Sequence, residues 1–297
     1  MSLLNSISSI WSDPPPVMVF ELSEAGVASA RLGAKTERGF RPLKPGTLSV
    51  SPIKDNIMDA EELARAVKES APPNPKSKRR DVAVIIPDYC TRISVLDFDD
   101  FPSDPKEQIS LVRFRMKKAV PYDVESAAVS YWPQSLGDKK YDVVVVVAPF
   151  EVVARYEAPF RAAGLNPGLV VPSGVASLHL LEQAGLTVVA KLTGNVLTVM
   201  VTEKERLRLV RCLELTPPTV DEIAADLYPT FVFVEDNLGA KAEKLLLCGF
   251  GGMMEEARQR FSEELGIEVE PVRSPLGVPG EHDAGLLGYL RSVAVNQ

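Results

Sequence analysis

The sequence contains few of the residues that most catalytic and metal sites require. Its 297 residues include three cysteines and two histidines. Cys90, Cys212 and Cys248 are odd in number and far apart, so we expect neither a disulfide framework nor a zinc site, and a reducing compartment is favoured. We expect His179 to pack in an apolar helix and His282 to lie in an exposed loop. Two histidines so far apart in sequence offer no convincing set for general base catalysis.

Basic charge and long apolar runs are also scarce. The net charge is −7 and the pI about 5.1. We expect no nucleic-acid partner, because a phosphate backbone requires a basic face. No run approaches the roughly 18 apolar residues of a membrane span. Residues 1–11 lack the basic flank and cleavage site of a signal peptide, so we expect a tail there and a soluble cytoplasmic protein.

Several binding motifs are missing as well. No Gly-x-Gly-x-x-Gly follows the first predicted strand, and no Gly-x-x-x-x-Gly-Lys-[Ser/Thr] occurs. The acidic residues Asp97, Asp99, Asp100 and Asp104 lack the spacing of an EF-hand. They therefore predict a solvated turn and not a cation site.

What the sequence does contain is an alternation of strands and helices in two blocks. In the first block we predict strands over residues 17–22, 27–32, 40–50, 81–87, 92–98, 129–133 and 141–148, and helices over 59–70, 105–120, 150–163 and 172–184. In the second we predict strands over 187–192, 196–202, 207–215, 229–234, from 245 and over 267–272, and helices over 219–227, 255–265 and 284–295. Each block opens with a hairpin, which is typical of two related α/β domains around a cleft.

A glycine-rich turn follows the strand that begins at residue 245. Residues 245–252 read Leu-Leu-Leu-Cys-Gly-Phe-Gly-Gly, and a helical pattern comes next. Glycine has no Cβ, so a strand, a glycine turn and a helix in this order let the backbone approach a nucleotide. The alternative interpretation of Gly249, Gly251 and Gly252 is a plain strand-to-helix turn.

Three stretches in this order resemble the actin-like ATPase superfamily, and within it the branch of the pilus assembly protein PilM and the cell-division protein FtsA. They are residues 93–98 with 105–109 and 120–123, residues 143–149 with Tyr156, 163–165 and Pro167, and the glycine loop 249–252. The resemblance implies a two-lobed α/β actin-like (ribonuclease H-like) ATPase fold with an FtsA/PilM-type inserted subdomain. It places a tail at 1–16, the first lobe at 17–80 and 166–185, the insert at 81–165 and the second lobe at 186–297.

The resemblance also implies a nucleotide site, and this sequence departs from it. The family has an Asp-x-Gly motif on the first hairpin of each lobe, where the acid helps to hold Mg²⁺. Glu21 and Ser23 stand at these positions in the first hairpin, and Lys191 and Thr193 in the second. A lysine only donates hydrogen bonds and cannot bind Mg²⁺, although it could neutralise a phosphate directly. Of the nucleotide motifs, the adenosine loop alone is intact.

These departures predict a non-catalytic scaffold of a type IV pilus or type II secretion inner-membrane platform. The resemblance implies that a groove binds the cytoplasmic N-terminal peptide of a bitopic, PilN-like membrane partner, which would hold the protein at the inner face of the membrane. The candidate groove residues are Arg113, Phe114, Lys117, Pro121, Tyr122, Tyr131 and Trp132. Tyr131 and Trp132 could equally be core residues.

Alternative functions remain open at this point. One is a nucleotide-binding or weakly active actin-like ATPase that polymerises. Another is a sugar or acyl kinase relative, which would need a catalytic aspartate that no motif places. We expect no resident cofactor, with ATP and Mg²⁺ as the exception, and self-association is compatible with the sequence.

Overall fold

The computed structural model describes residues 15–33, 36–71, 80–181 and 185–295. Residues 1–14 of the predicted tail lie outside this part of the chain. In chain order, the elements of the first half are β1 (Met18–Ser23), β2 (Gly26–Arg31), β3 (Glu37–Pro42), α1 (Ala60–Ser70), β4 (Asp81–Ile86), β5 (Arg92–Phe98), α2 (Pro105–Met116), β6 (Ala127–Gly137), β7 (Lys140–Pro149), α3 (Phe150–Ala162), β8 (Asn166–Pro172) and α4 (Ser173–Ser177).

The second half repeats much of this order. Its elements are β9 (Leu186–Thr193), β10 (Val196–Glu203), β11 (Arg206–Glu214), α5 (Val220–Leu238), β12 (Lys244–Cys248), α6 (Met254–Leu265), β13 (Glu268–Pro271) and α7 (Ala284–Val295). Short 3-10 helices lie at Asp88–Cys90, Val124–Ser126, Leu178–Leu180 and Gly251–Met253. None of the helices in the described part of the chain has the length and apolar character needed to cross a membrane.

Two five-stranded sheets share one topology. The first has the order β3-β2-β1-β4-β8 and the second β11-β10-β9-β12-β13. In each, three antiparallel strands are followed by two strands parallel to the first one. The prediction of two related α/β lobes is therefore confirmed. A third sheet, β5-β7-β6, is antiparallel and lies between β4 and β8 in the chain.

Both faces of the first sheet are covered, which explains the apolar runs of its central strands. Side chains of α1 and α3 pack on one face, with Leu63 and Tyr156 fully buried. The last helix, α7, packs on the other face together with α4, although it comes from the end of the chain. The second lobe has its own core, to which α5 and α6 contribute.

Some predicted elements are wrong in type or length. Residues 229–234 form no strand but the middle of α5, because Ile223, Leu227, Thr230 and Val234 bury one helical face and Pro229 lies on the exposed side. The third strand ends at Pro42. Of the helix predicted over 172–184, residues 173–180 form α4 and a 3-10 turn, and residues 182–184 lie outside the described part of the chain. Strand β8 was not predicted at all.

The domain bounds remain a prediction. Strand β4 and helix α3 fall within the range 81–165 assigned to the insert, yet β4 pairs with β1 and α3 packs on the first sheet. This arrangement favours a shorter insert, from about residue 87 to about residue 149.

Candidate functional site

The hairpins that open the two lobes face each other across a small cavity. The turn after β1 lies on one side and the turn after β9 on the other, and the cavity has a volume of about 80 Å³. Pockets for small ligands usually enclose about 300–1,000 Å³. In this conformation the cleft is too small for a nucleoside triphosphate.

The first hairpin turn is closed by the residue that stands at the expected glycine position. Ser23 Oγ donates to the Gly26 carbonyl and accepts from the Gly26 N–H, each at 3.2 Å. Gly26 is required because a Cβ there would lie 2.4 Å from the carbonyl oxygen of Arg41 on β3. Ser23 therefore has a structural role in the turn.

Glu21 lies in the floor of the cleft on β1 and is 3% exposed. Its Oε1 accepts a hydrogen bond from Ser173 Oγ at the start of α4, and its Oε2 accepts one from the Leu286 N–H in the first turn of α7, at 2.7 Å. Burial raises the pKa of Glu21 to about 7, although Lys191 and these two hydrogen bonds act to lower it. At neutral pH this carboxyl group is only partly ionised.

Asp88, two residues after the end of β4, connects the two lobes. Its Oδ2 accepts from Lys191 Nζ at 3.1 Å and from Thr198 Oγ1 at 2.8 Å, both on the second sheet. Its Oδ1 accepts from the Gly174 N–H at 2.6 Å. Lys191 Nζ also donates to Thr193 Oγ1 at 3.0 Å. Lys191 is 2% exposed, so the ion pair is buried.

The charges in the cleft disfavour an added phosphate group. Burial would lower the pKa of Lys191, but Asp88 and Glu21 outweigh it and raise this pKa above its usual value, so the lysine is charged. The Asp88 carboxylate already balances that charge, and Glu21 adds negative charge when it ionises. An entering triphosphate would meet a neutral or negative cavity and would have to displace a buried ion pair.

The glycine loop after β12 is shaped by its protein neighbours. Gly249 has a φ of +77°, and a Cβ there would lie 2.1 Å from the Leu192 carbonyl oxygen. Gly251 has a φ of +50°, and a Cβ there would lie 1.8 Å from Glu281 Oε1, whereas Gly252 faces open space. Backbone packing therefore requires glycine at position 249, and the positive φ favours glycine at position 251. The Glu281 carboxylate also lies against this loop, to which the resemblance assigns adenosine binding.

Of the histidines and cysteines, His282 lines the cleft, and His179 and the three cysteines do not. His282 lines the cavity and stacks on Phe40 with ring centroids 5.4 Å apart, so the prediction that it is exposed is wrong. Cys90, Cys212 and Cys248 are free, and burial raises the pKa of each, which makes them poor nucleophiles. Within the described ranges, no three His, Cys, Asp or Glu side chains are grouped so that they could hold a metal ion.

Three of the predicted groove residues are committed to packing. Arg113 donates to the backbone carbonyls of Val124 and Ala127. The Tyr131 hydroxyl lies 3.0 Å from Gln108 Oε1 of α2, to which it donates. Trp132 is 6% exposed and belongs to the core shared with the second lobe. Because neighbouring residues of a strand face opposite sides, Tyr131 and Trp132 cannot line one groove, and we remove Trp132 from it.

The remaining predicted groove residues lie in the last turn of α2 and in the segment that follows it. Phe114 is 69% exposed, and Lys117 and Pro121 are also exposed. Tyr122 is half-buried, and its hydroxyl donates to the Val147 carbonyl at 3.4 Å. Phe114, Lys117, Pro121 and Tyr122 form what we call the α2-end surface.

The acid at the centre of the cleft is absent from the sequence-based predictions. Asp88 was not predicted, although it follows a parallel strand whose last five residues are apolar and buried, and ligand sites in α/β proteins lie at the carboxyl ends of such strands. Ser173 and Thr198, which bind Glu21 and Asp88, carry no motif and could be found only from the fold.

Comparison with solved structures finds the same fold at low sequence identity. A chain of the PilM-PilN type IV pilus biogenesis complex matches with a TM-score of 0.77 and 19% identity, over 93% of this chain and 98% of that one. A Bacteroides thetaiotaomicron protein with an actin-like ATPase fold and unknown function matches with a TM-score of 0.54 and 13% identity, over 86% and 89%. No protein-family model matches, and no curated protein is significantly similar. The chain therefore has the two-lobed actin-like ATPase fold, and its expected resemblance to the PilM branch is confirmed at the level of that fold.

Proposed function

We propose that this protein is a non-catalytic component of the inner-membrane platform of a type IV pilus or type II secretion system. In this role it captures the cytoplasmic N-terminal peptide of a bitopic membrane protein, which holds it at the inner face of the membrane. The observation that carries the proposal is the match, over 93% of this chain and 98% of the other, to a chain from the complex of PilM with PilN.

The state of the cleft supports a role without catalysis. Phosphoryl transfer depends on positioned phosphates and metal ions. Here the lysine that replaces an acid is paired with Asp88, and the cavity holds only about 80 Å³. A protein that keeps the lobes of the fold but fills the cleft with its own ion pair is suited to binding proteins through its surface.

The α2-end surface is our candidate for the peptide site. Large side chains that remain exposed are typical anchors for a partner, and Phe114 is the most exposed of the large apolar residues described. Lys117 lies one helical turn from Phe114 and adds a positive charge at its edge. An extended peptide could place an apolar side chain on Phe114 and a polar group near Lys117.

The test uses the cytoplasmic peptide of a bitopic membrane protein encoded beside this gene. The labelled peptide is titrated with the full chain, and binding is followed by fluorescence anisotropy. We expect saturable binding that weakens at least about tenfold in a Phe114→Glu, Lys117→Glu variant, as for truncation of an anchor residue. Tyr228→Glu is the matched control, because Tyr228 is 62% exposed on α5 of the second lobe.

The results of this experiment test the proposed function and the proposed peptide site separately. Failure of the neighbour's peptide to bind the wild-type chain would contradict the scaffold proposal. Binding that is unchanged in the double variant would leave the scaffold role intact but would place the peptide elsewhere.

A further inference from the structure

The outer edge of the first sheet is open. Strand β3 pairs with β2 on one side, and no strand in the described part of the chain pairs with its other side. All six of its residues are exposed. An edge strand of this kind presents unpaired backbone N–H and C=O groups, to which an extended segment can add as a further strand.

A notch lies beside this edge, on the face of the sheet that carries α1. Gly39 on β3 is aligned with Ser29 on β2 and Phe20 on β1, so two small residues and a buried ring form its low point. The groove that includes these residues has a volume of about 320 Å³ and is bounded by Glu69 of α1. Glycine inside a strand often marks a place where another chain approaches closely.

The charged side chains of β3 lie on both faces of the sheet. On the side of α1, Arg41 and Glu37 flank Gly39, and Arg41 pairs with Glu69 at 2.9 Å. On the opposite side, Arg38 donates to the Leu276 carbonyl at 3.4 Å.

The balance of charge sets the chemistry of a partner. Three arginines, Arg31, Arg38 and Arg41, line the groove with two carboxylates, so it is locally basic in a chain of net charge −7. A strand added beside β3 would place acidic residues favourably opposite Arg38 and Arg41. The two residues between these acids would lie opposite Gly39 and Phe40. An apolar side chain opposite Gly39 would fill the notch, and one opposite Phe40 would contact the Phe40 ring, which is 49% exposed.

We propose that the edge of β3 is a docking site for an extended acidic segment of another protein, which adds as a strand with the pattern acidic, apolar, apolar, acidic. The pattern reads the same in both directions, so it suits a parallel or an antiparallel addition. This site shares no residue with the α2-end surface and does not depend on the proposed platform function.

The probe is a fluorescein-labelled peptide, Thr-Thr-Glu-Val-Leu-Glu-Thr-Thr, titrated with the full chain and followed by anisotropy. A second peptide has lysine in place of both glutamates. We expect the first to bind saturably and the second not to bind. An Arg38→Glu, Arg41→Glu variant should bind the first peptide about tenfold more weakly, because two favourable cross-strand pairs become repulsive.

Backbone pairing is tested separately from charge. Two N-methylated forms of the first peptide carry the methyl groups on alternate residues, so only one form blocks the amides that face β3. We expect one form to lose binding and the other to keep it, because strand pairing uses every second amide of the added strand.

The matched control for the Arg38→Glu, Arg41→Glu variant is Arg260→Glu, since Arg260 also forms exposed ion pairs, with Asp221 and Glu264. It should bind as the wild type does.

Three results would overturn the proposal. The first is no binding of the acidic peptide, and the second is equal binding of the lysine peptide. The third is a dimer in sedimentation that the Arg38→Glu, Arg41→Glu variant dissociates, since the edge would then be occupied by a second copy of this chain.

Discussion

Lys191 Nζ lies 3.1 Å from Asp88 Oδ2, and this buried ion pair joins the second lobe to the first. The lysine replaces the acid that the actin-like resemblance would place on the second hairpin. Asp88 is held by a second-lobe hydroxyl, from Thr198, and by a first-lobe N–H, from Gly174. A protein side chain thus connects the lobes across the cleft where the family would use a nucleotide and a metal ion.

Loss of the lysine should be strongly destabilising. Lys191→Met removes the ammonium group and leaves the Asp88 carboxylate buried without a cation. Breaking a buried pair in this way costs about 3–5 kcal/mol. We expect the free energy of unfolding, measured from urea denaturation at neutral pH, to fall by that amount.

The double variant Asp88→Asn, Lys191→Met is the informative partner of this change. It removes both charges of the pair, and the asparagine oxygen can still accept from the Gly174 N–H, so we expect it to be more stable than Lys191→Met alone. Lys140→Met is the surface control, because Lys140 is 3.9 Å from Asp99 and exposed. Its effect should stay within about 0.5 kcal/mol. A double variant less stable than the single one would refute the buried pair as the cause.

Glu21 should make stability depend on pH. Its folded-state pKa, about 7, lies above its ordinary value of 4.5, so between these values the folded chain holds a proton that the unfolded chain has released. Stability is therefore greatest below the lower value and falls as the pH rises towards and through 7. At about 1.4 kcal/mol per pKa unit, the free energy of unfolding falls by roughly 3 kcal/mol across this pH range.

The Glu21→Gln variant isolates this effect. Glutamine stays neutral and can accept from the Leu286 N–H while it donates to Ser173 Oγ. Urea denaturation at pH 5 and pH 8 should show the wild type losing stability relative to the variant as the pH rises. A constant difference between the two chains across this range would contradict the raised pKa of Glu21.

The parts of the fold that the sequence predicts well are those with strong local patterns. The five consecutive valines in β7 indicate a buried strand, and Asp59 with the apolar spacing after it predicts α1, where Asp59 Oδ1 accepts from the Glu62 N–H. The hairpin motifs identify Glu21 and Lys191. Their contacts with Asp88 and Ser173 depend on the fold, because Asp88 follows β4, which pairs with β1, and Ser173 follows β8, which pairs with β4. The one sequence signal was the position of Asp88 at the carboxyl end of a buried strand.

Helix α5 shows how a local rule fails. Pro229 and the β-branched and aromatic residues after it predict a strand, but burial of Leu227, Thr230 and Val234 at helical spacing decides the structure. The proline costs the helix a hydrogen bond and is tolerated on its exposed side.

The substitution Pro229→Ala should be stabilising. Alanine restores the missing N–H in the helix, and a part of the gain is offset by the more flexible unfolded chain. We expect the free energy of unfolding to rise by about 2 kcal/mol. Ala225→Gly, one turn earlier on the same exposed face, is the control and should lower the free energy of unfolding by about 1 kcal/mol. If Pro229→Ala does not raise the free energy of unfolding, the helix is not regular at this point.

Gln134 should hold the insert against the second lobe. Its Nε2 donates to the Leu207 carbonyl at 2.9 Å, and its Oε1 accepts from the Leu207 N–H at 2.8 Å. Gln134→Ala leaves both backbone groups buried without these partners, which costs about 1–3 kcal/mol. We expect faster amide hydrogen exchange at Leu207. Gln259→Ala is the control, because Gln259 is exposed and its Nε2 donates to Glu263 of the same helix. If the Leu207 amide exchanges at the same rate in both variants, the hydrogen bonds of Gln134 to Leu207 do not hold the insert against the second lobe.

Mg-ATP should not stabilise this protein. A ligand that binds only the folded state adds about 2.7 kcal/mol at a concentration of 100 times its Kd. In a chain of this size each kcal/mol moves the Tm by roughly 2–4 °C, so a real site would be easy to detect. We expect no change in Tm with millimolar ATP or ADP, with or without Mg²⁺, because Lys191 is paired with Asp88 and Glu281 lies against Gly251. A rise that increases with the Mg-ATP concentration and disappears in Glu21→Gln would show that the cleft opens and binds the nucleotide, and it would favour the ATPase alternative.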